Sequence, residues 1–282
     1  MRSVPIWTRH QACVILKEKG REEHVEVGIM SNGCSFKYPD ANYARIEKAI
    51  VEAAKNGADI AVLPEMWNTG YALNELAGVA DLNGERTKEF LATLSEKHQI
   101  AIIGGSVSIS EGNKFSNTMY AFDNYGGLLS SYKKVHLFQL MNEHLYLEAG
   151  NDKNLFRLDG VSCAGFICYD IRFPEWIRKH TSEGSEVIFV SAQWPAERVT
   201  QWEQLLIARA IENQAFVVAV NRVGDDPNNH FNGHSLVIDP LGNIVAHGGE
   251  DEGNIYAEID LNLVAETRGI IPVFTDRRPE LY

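Results

Sequence analysis

The chain has 282 residues, 45% of them hydrophobic and 10% aromatic, with a formal net charge of -12. That is too apolar for a disordered chain and long enough to bury a sizeable core. The acidic balance repels phosphate backbones and anionic lipid, and no run nears the roughly 18 apolar residues of a membrane span, so neither nucleic acid nor membrane is an expected partner.

At the N-terminus a short apolar patch, Ala12 to Leu16, lies between Arg9-His10 and Lys17 to Lys19, which does not read as a secretory signal. Cys13, Cys34, Cys163 and Cys168 show neither CxxC nor zinc-ligand spacing. Free thiols in a cytoplasmic protein are the expectation. His24 to Met30 (HVEVGIM) reads as the start of an apolar strand, and Ser31 to Lys37 as a loop.

A helix is predicted after Pro39, with Asp40 as its cap, Ile46, Ile50 and Ala54 on one face and Gly57 at its stop. Asp59 to Glu65 is a short buried-type strand, and Glu85 to His98 a helix with Phe90, Leu91 and Leu94 inward. Strands follow at Ile100 to Ser110 and Asn117 to Asp123, and the turn Asn124 to Gly127 leads into Leu128 to Phe138. A further apolar strand, from Val161, stops at Cys168. Beyond it come a helix from Pro174, a strand at Glu186 to Trp194, a long helix at Glu197 to Gln214 and a strand at Phe216 to Val223. A hairpin around Pro240-Leu241-Gly242, a strand at Asn254 to Asp260, a helix at Asn262 to Gly269 and an irregular tail close the chain.

Helix-separated strands argue for parallel crossovers, yet hairpins interrupt them. The predicted fold is therefore α/β: a four-layer α-β-β-α sandwich of two mixed sheets, in one compact domain.

Three strand ends carry chemistry. Cys168 lies where a strand turns into a helix that opens with Pro174, at the sheet edge where α/β folds bind ligands. The helix N-terminus there favours a thiolate or an oxyanion. Glu65 ends another apolar strand. Lys133 and Lys134 sit in a third, where alternation turns one outward and one inward, and an inward ammonium needs a carboxylate partner. Taken singly, each has a plainer reading: a packed core thiol, a structural ion pair, a solvated lysine pair. Together they supply a base, a nucleophile and a cation for acyl transfer.

Leu63 to Tyr71 (LPEMWNTGY), Tyr132 to Phe138 (YKKVHLF) and Gly165 to Trp176 (GFICYDIRFPEW) resemble, in order and spacing, the three signature motifs of the nitrilase superfamily of carbon–nitrogen hydrolases. The resemblance runs from about Asn42 to the C-terminus and includes Ser191 to Pro195 (SAQWP) and Ala208 to Gln214 (ARAIENQ). It is strongest to the ω-amidase-like branch, which includes hydrolases of bacterial methionine-salvage clusters.

The resemblance implies the same sandwich, association as homodimers or larger, and no metal or organic cofactor. It assigns Glu65 as general base, Lys134 as transition-state stabiliser and Cys168 as nucleophile. It also places the N–H of Tyr169 in an oxyanion hole and matches Glu143 to a second glutamate of the site. For Glu143 a solvent-facing charge beside His144 is the alternative.

The implied reaction is hydrolysis of a small amide through a thioester, with a short 2-oxo dicarboxylic monoamide such as 2-oxoglutaramate as the expected substrate. A carboxylate on that substrate calls for a cation, and Arg172 offers a bidentate fork. Its alternative is a pair with Asp170 or Glu175 that only stiffens the turn. Trp67, Tyr71 and Trp194 are candidates for an apolar wall, or for plain core. A nitrilase or N-carbamoyl hydrolase with the same three residues, an inactive scaffold, and a metal hydrolase using His136, Asp170 and His144 are the competing functions. Residues 1–25 have no counterpart in the family and read as an extension of uncertain structure before a hydrolase domain at 26–282. The irregular look of Ser31 to Lys37 raises the expectation of a weakened first core strand.

Overall fold

The computed structural model describes residues 24–281. Residues 1–23, with Cys13 and nearly all of the expected extension, lie outside the described residues; His24 and Val25 already belong to the first strand.

The first sheet contains β1 (His24–Ser31), β2 (Ile60–Val62), β3 (Asp81–Leu82), β4 (Ala101–Glu111), β5 (Lys114–Phe122) and β6 (Leu128–Lys133). The second contains β7 (Leu155–Leu158), β8 (Val161–Ile167), β9 (Val187–Ala192) and β10 (Phe216–Asn221). A separate ribbon, β11 (Val223–Asp225) with β12 (His230–Asn232), precedes β13 (Leu236–Ile238) and β14 (Ile244–His247) of the second sheet. Finally β15 (Gly253–Asp260) returns to the first sheet. The orders are β15-β1-β2-β4-β5-β6, with β3 on β4, and β14-β13-β10-β9-β8-β7. Both sheets are mixed, as expected. Parallel ladders β1-β2-β4 and β8-β9-β10 form their centres, and antiparallel strands flank them.

Alternation along the strands builds the layers. Val27, Ile29, Ile60 and Val62 point between the sheets, where they join Cys163, Phe189 and Val218 in one core. Met30, Ala61 and Leu63 point the other way, onto α1 (Pro39–Lys55) and α3 (Glu85–His98), which follows the single-turn helix α2 (Leu76–Val79). After the short helix α4 (Glu143–Tyr146), helices α5 (Pro174–Thr181) and α6 (Val199–Asn213) cover the second sheet with Ile177, Trp202, Leu206 and Ala210. Because β9 and β10 are covered on both faces, they read as unbroken apolar runs rather than alternating ones. Truncating Phe189, fully buried between layers, would cost about 3–5 kcal/mol.

Several details differ from expectation. β1 is not weakened: all eight residues pair with β15, and Val27 to Ile29 also pair with β2. Its irregular sequel begins only at Asn32. Asp40 does not cap α1; Tyr38 is the N-cap, with no side-chain bond, and the Asp40 carboxylate pairs with Arg86 at 2.7 Å. Proline at N1 puts the cap two residues earlier than expected. Ala54 is only half-buried, and Ala49 and Ala53 take the inner face with Ile46 and Ile50. The tail is not wholly irregular, since α7 (Asn262–Ile270) is followed by the one-turn helix α8 (Val273–Asp276).

Candidate active site

The parallel topology brings the carboxyl ends of β2, β6, β8 and β9 to one end of the sandwich, where the two sheets meet. After β2 the chain turns sharply at Pro64. Gly105 makes room for that turn: its φ is +60°, and a Cβ there would stand 2.1 Å from the Pro64 carbonyl oxygen. Ser106 donates its N–H to the same carbonyl at 3.1 Å and accepts the N–H of Met66 on its hydroxyl at 3.0 Å. Glu65 is thereby driven into the gap between the sheets, fully buried.

Lys134 follows β6 and is equally buried. Its Nζ donates to Glu65 Oε1 at 2.8 Å and to Glu143 Oε1 at 2.7 Å. The lysine alternation is as read from sequence: Lys133 turns outward to Glu111. Burial works against the Lys134 ammonium, but the carboxylates of Glu143 and Glu65 outweigh it and hold its pKa above the ordinary value. Glu143, at the start of α4, is fully buried rather than solvent-facing. Its second oxygen accepts the Phe138 N–H at 2.8 Å. Burial, opposed by Lys134 and reinforced by Glu65, raises its carboxyl pKa.

Two further groups fix Glu65. Asn117 of β5 donates to Oε1 at 2.8 Å, and the Gln193 backbone N–H to Oε2 at 2.9 Å. The Gln193 side chain also donates to the Glu65 carbonyl at 2.6 Å and accepts from buried Arg222 at 2.7 Å. Tyr71, expected as apolar wall, instead directs its hydroxyl at Glu65, 3.1 Å away, and at Glu143. Burial and the two carboxylates raise its pKa far enough to keep it an O–H donor.

Cys168 opens the turn that follows β8, with φ +46° and 4% of its surface exposed. A positive φ is unusual for a side-chain-bearing residue and needs its surroundings to hold it. Asp170 does so. Its carboxylate accepts from Ile167 N–H at 3.0 Å and Tyr132 hydroxyl at 2.8 Å, and from the His136 backbone N–H at 3.1 Å. The pKa of the Cys168 thiol lies well above normal because of burial, then the nearby Glu65 carboxylate, against the opposing pull of Lys134. Burial and the nearby carboxylate therefore outweigh the pull of the helix end toward a thiolate. A buried thiol against a carboxylate, with an ammonium alongside, can lose its proton to that carboxylate as it attacks a carbonyl.

The cleft over Cys168 is lined by Phe138, Tyr169, Arg172, Gln193, Trp194, Pro195 and Arg198. Arg172 pairs with neither Asp170 nor Glu175; it donates to Gln201 Oε1 at 2.6 Å and lies over the Trp194 ring at 4.7 Å. Trp194 is anchored by Asn221, which accepts its N–H at 2.7 Å, and by its indole N–H bond to the Arg198 carbonyl at 2.8 Å. Trp67 is no wall of this cleft. It packs with Tyr43 and Phe90 in the outer layer, its indole N–H on the Gly104 carbonyl at 2.8 Å. His136 Nδ1 pairs with Asp170 at 2.7 Å, but His144 is exposed, and the three do not form a metal-ligand cluster. Asn117, Gln193, Arg222 and Arg198 were not singled out from sequence. Gln193 stood inside SAQWP, directly after an apolar strand, which was the available signal.

The sequence profile of the family described as carbon-nitrogen hydrolase matches residues 33–269. This chain belongs to the carbon–nitrogen hydrolases. It is 51% identical over 248 residues to the 2-oxoglutaramate amidase of Bacillus subtilis, covering 88% of this chain and 95% of the relative. It is also 36% identical over 222 residues to the omega-amidase YafV of Escherichia coli, covering 78% and 84%. Among solved structures, the carbon–nitrogen hydrolase XC1258 of Xanthomonas campestris superposes with TM-score 0.85 at 30% identity, over 91% of this chain and 98% of that one. The fold and the family are those expected from the three motifs.

Proposed function

We propose that this carbon–nitrogen hydrolase is an ω-amidase that cleaves the terminal amide of a short 2-oxo dicarboxylic monoamide, converting 2-oxoglutaramate to 2-oxoglutarate and ammonia. The observation that carries the chemistry is one buried ammonium, Lys134, held between Glu65 and Glu143 while both Glu65 and Lys134 act on the buried Cys168 thiol. Glu65 takes the thiol proton as sulfur attacks the amide carbon. Lys134 and the Tyr169 N–H stabilise the oxyanion. Glu65 then passes the proton to the departing nitrogen, leaving a thioester on Cys168 and free ammonia. A water activated by Glu65 hydrolyses the thioester, and the sulfur regains its proton. Glu143 and Tyr71 keep Lys134 charged and aimed.

The names of the relatives support the substrate class, and so does the cleft. Arg172 and Arg198 put two guanidinium groups in a cleft that also holds Trp194 and Phe138. Among the described residues the Arg198 guanidinium has only a 3.5 Å contact to the exposed Glu197 in the same turn, which leaves donors for a carboxylate. The proposal extends to a homodimer or larger homo-oligomer in the cytoplasm, acting in methionine salvage, with residues 26–282 as the hydrolase domain and no cofactor.

Ammonia release from 2-oxoglutaramate, neutral aliphatic amides, nitriles and N-carbamoyl compounds tests the reading. Preference for 2-oxoglutaramate by at least about 10²-fold in kcat/KM is expected from charge-assisted hydrogen bonds to one carboxylate. Equal rates on neutral amides, or faster nitrile turnover, would overturn it.

A further inference from the structure

Away from the cleft, α6 and the β13–β14 hairpin bring together a second set of chemically matched side chains. Among the described residues, Glu203, His234 and His247 are the set of His, Cys, Asp or Glu whose donor atoms all lie within 4.8 Å of one another. Glu203 Oε1 lies 2.7 Å from His234 Nδ1 and 3.2 Å from His247 Nε2. The two imidazoles stand edge to face, with centroids 5.1 Å apart.

The ligand set is held in place by its surroundings. His234 has φ +58°, a conformation kept by its carbonyl, which accepts the Trp202 indole N–H at 2.7 Å, and by its N–H, which reaches the Gly249 carbonyl at 3.4 Å. Its other ring nitrogen, Nε2, faces the Glu250 carboxylate at 3.8 Å. That separation is longer than a hydrogen bond, and closer approach would give the carboxylate–imidazole pairing that orients a metal-bound ring.

We propose that Glu203, His234 and His247 form a binding site for one divalent transition-metal ion of the zinc class, separate from the hydrolytic centre. Two imidazoles and one carboxylate suit Zn²⁺, Co²⁺ or Ni²⁺ and are poor ligands for Mg²⁺ or Ca²⁺, which take oxygen donors. Donor atoms about 2.0–2.1 Å from a tetrahedral zinc lie roughly 3.3 Å from each other. The two hydrogen-bonded gaps would open by roughly 0.6 and 0.1 Å, and the two ring nitrogens, within 4.8 Å of each other, would close. In the hydrogen-bonded state His234 Nδ1–H and His247 Nε2–H each donate a hydrogen bond to the Glu203 carboxylate and keep their protons. Coordination uses the lone pairs of those nitrogens, so each neutral ring carries its one proton on the opposite nitrogen, His234 toward Glu250; a ring that starts charged releases one proton. Water completes the coordination. None of the three residues lines the Cys168 cleft, so the ion would tie α6 to the hairpin rather than join the reaction.

Equilibrium dialysis of the full chain against Zn²⁺, with Co²⁺ absorption as the spectroscopic probe, tests this. The expected result is one more equivalent bound by the wild type than by His247→Ala, with a rise in Tm of about 5 °C or more once free Zn²⁺ reaches a hundredfold Kd. Glu203→Gln should weaken binding about 100-fold and Glu250→Gln about tenfold. His247 is 40% exposed in its side chain, so His247→Ala leaves packing intact and should hydrolyse amides at the wild-type rate. Equal uptake by His247→Ala, a sulfur-to-cobalt charge-transfer band showing that cysteine holds the ion, or no saturable uptake would each overturn the proposal and leave a metal-free hydrogen-bonded clamp. Amide turnover is read separately, so failure here does not touch the proposed hydrolysis.

Discussion

Lys134→Met separates charge from shape at the centre of the site. Methionine fills nearly the same volume, so the change removes the ammonium and little else. In the wild type that ammonium sits 2.8 Å from Glu65 and 2.7 Å from Glu143, all three out of water. Without it two carboxylates share a dry pocket, and the folded protein escapes the repulsion by keeping one of them protonated. Holding a carboxyl of ordinary pKa 4.5 in its protonated form at pH 7 costs about 3 kcal/mol, which sets the expected loss of stability. The sign follows: the variant's folded carboxyl has a raised pKa, so the deficit grows by about 1.4 kcal/mol per unit as pH rises and shrinks as it falls. Urea unfolding at pH about 5.5 and about 8 should therefore give deficits differing by roughly 3 kcal/mol. Turnover should fall by about 10³-fold with the loss of an oxyanion-stabilising cation. A deficit independent of pH, or kcat within tenfold of wild type, would refute the reasoning.

Four other outcomes are expected. Glu143→Gln should flatten the pH dependence of stability: the raised Glu143 pKa makes wild-type stability decline as pH rises through it, and glutamine has no such titration, as urea unfolding across pH would show. Its turnover should drop by about 10²-fold because Lys134 loses one of two anchors. Arg198→Gln should lower kcat/KM for 2-oxoglutaramate by about 10–100-fold and leave neutral amides unchanged in steady-state assays. Asp170→Ala should cost about 3 kcal/mol or more in urea unfolding, since it strips the Tyr132, His136 and Ile167 donors of their acceptor. Gly105→Ala should lower Tm and activity together, as its Cβ meets the Pro64 carbonyl at the turn that aims Glu65.

The sandwich was legible because strand and helix periods alternate along the chain and hairpins interrupt the crossovers. The three charged or nucleophilic strand ends were legible because each breaks an apolar run. What escaped was everything set by contact between distant segments. Asn117 looks like an ordinary polar residue in a strand until β5 places it beside Glu65. Arg222 ends an apolar strand much as a surface arginine would, yet it is buried and holds Gln193. Arg172 was read as a fork for a substrate carboxylate or else a local pair with Asp170 or Glu175, and its contacts to Gln201 of α6 and to Trp194 were not foreseen. The electrostatics of Cys168 escaped for the same reason: local helix geometry favours a thiolate, but burial and Glu65, which arrive from elsewhere in the chain, act against it.

The account turns on sulfur becoming covalently acylated with Glu65 as its base. Acid-quenching the enzyme during turnover of 2-oxoglutaramate and mapping the adduct by mass spectrometry measures this directly. The predicted result is a single acyl group, equal to the substrate less ammonia, on the peptide bearing Cys168, and its absence in Glu65→Gln. An adduct on another residue, or undiminished turnover by Cys168→Ala, would contradict it.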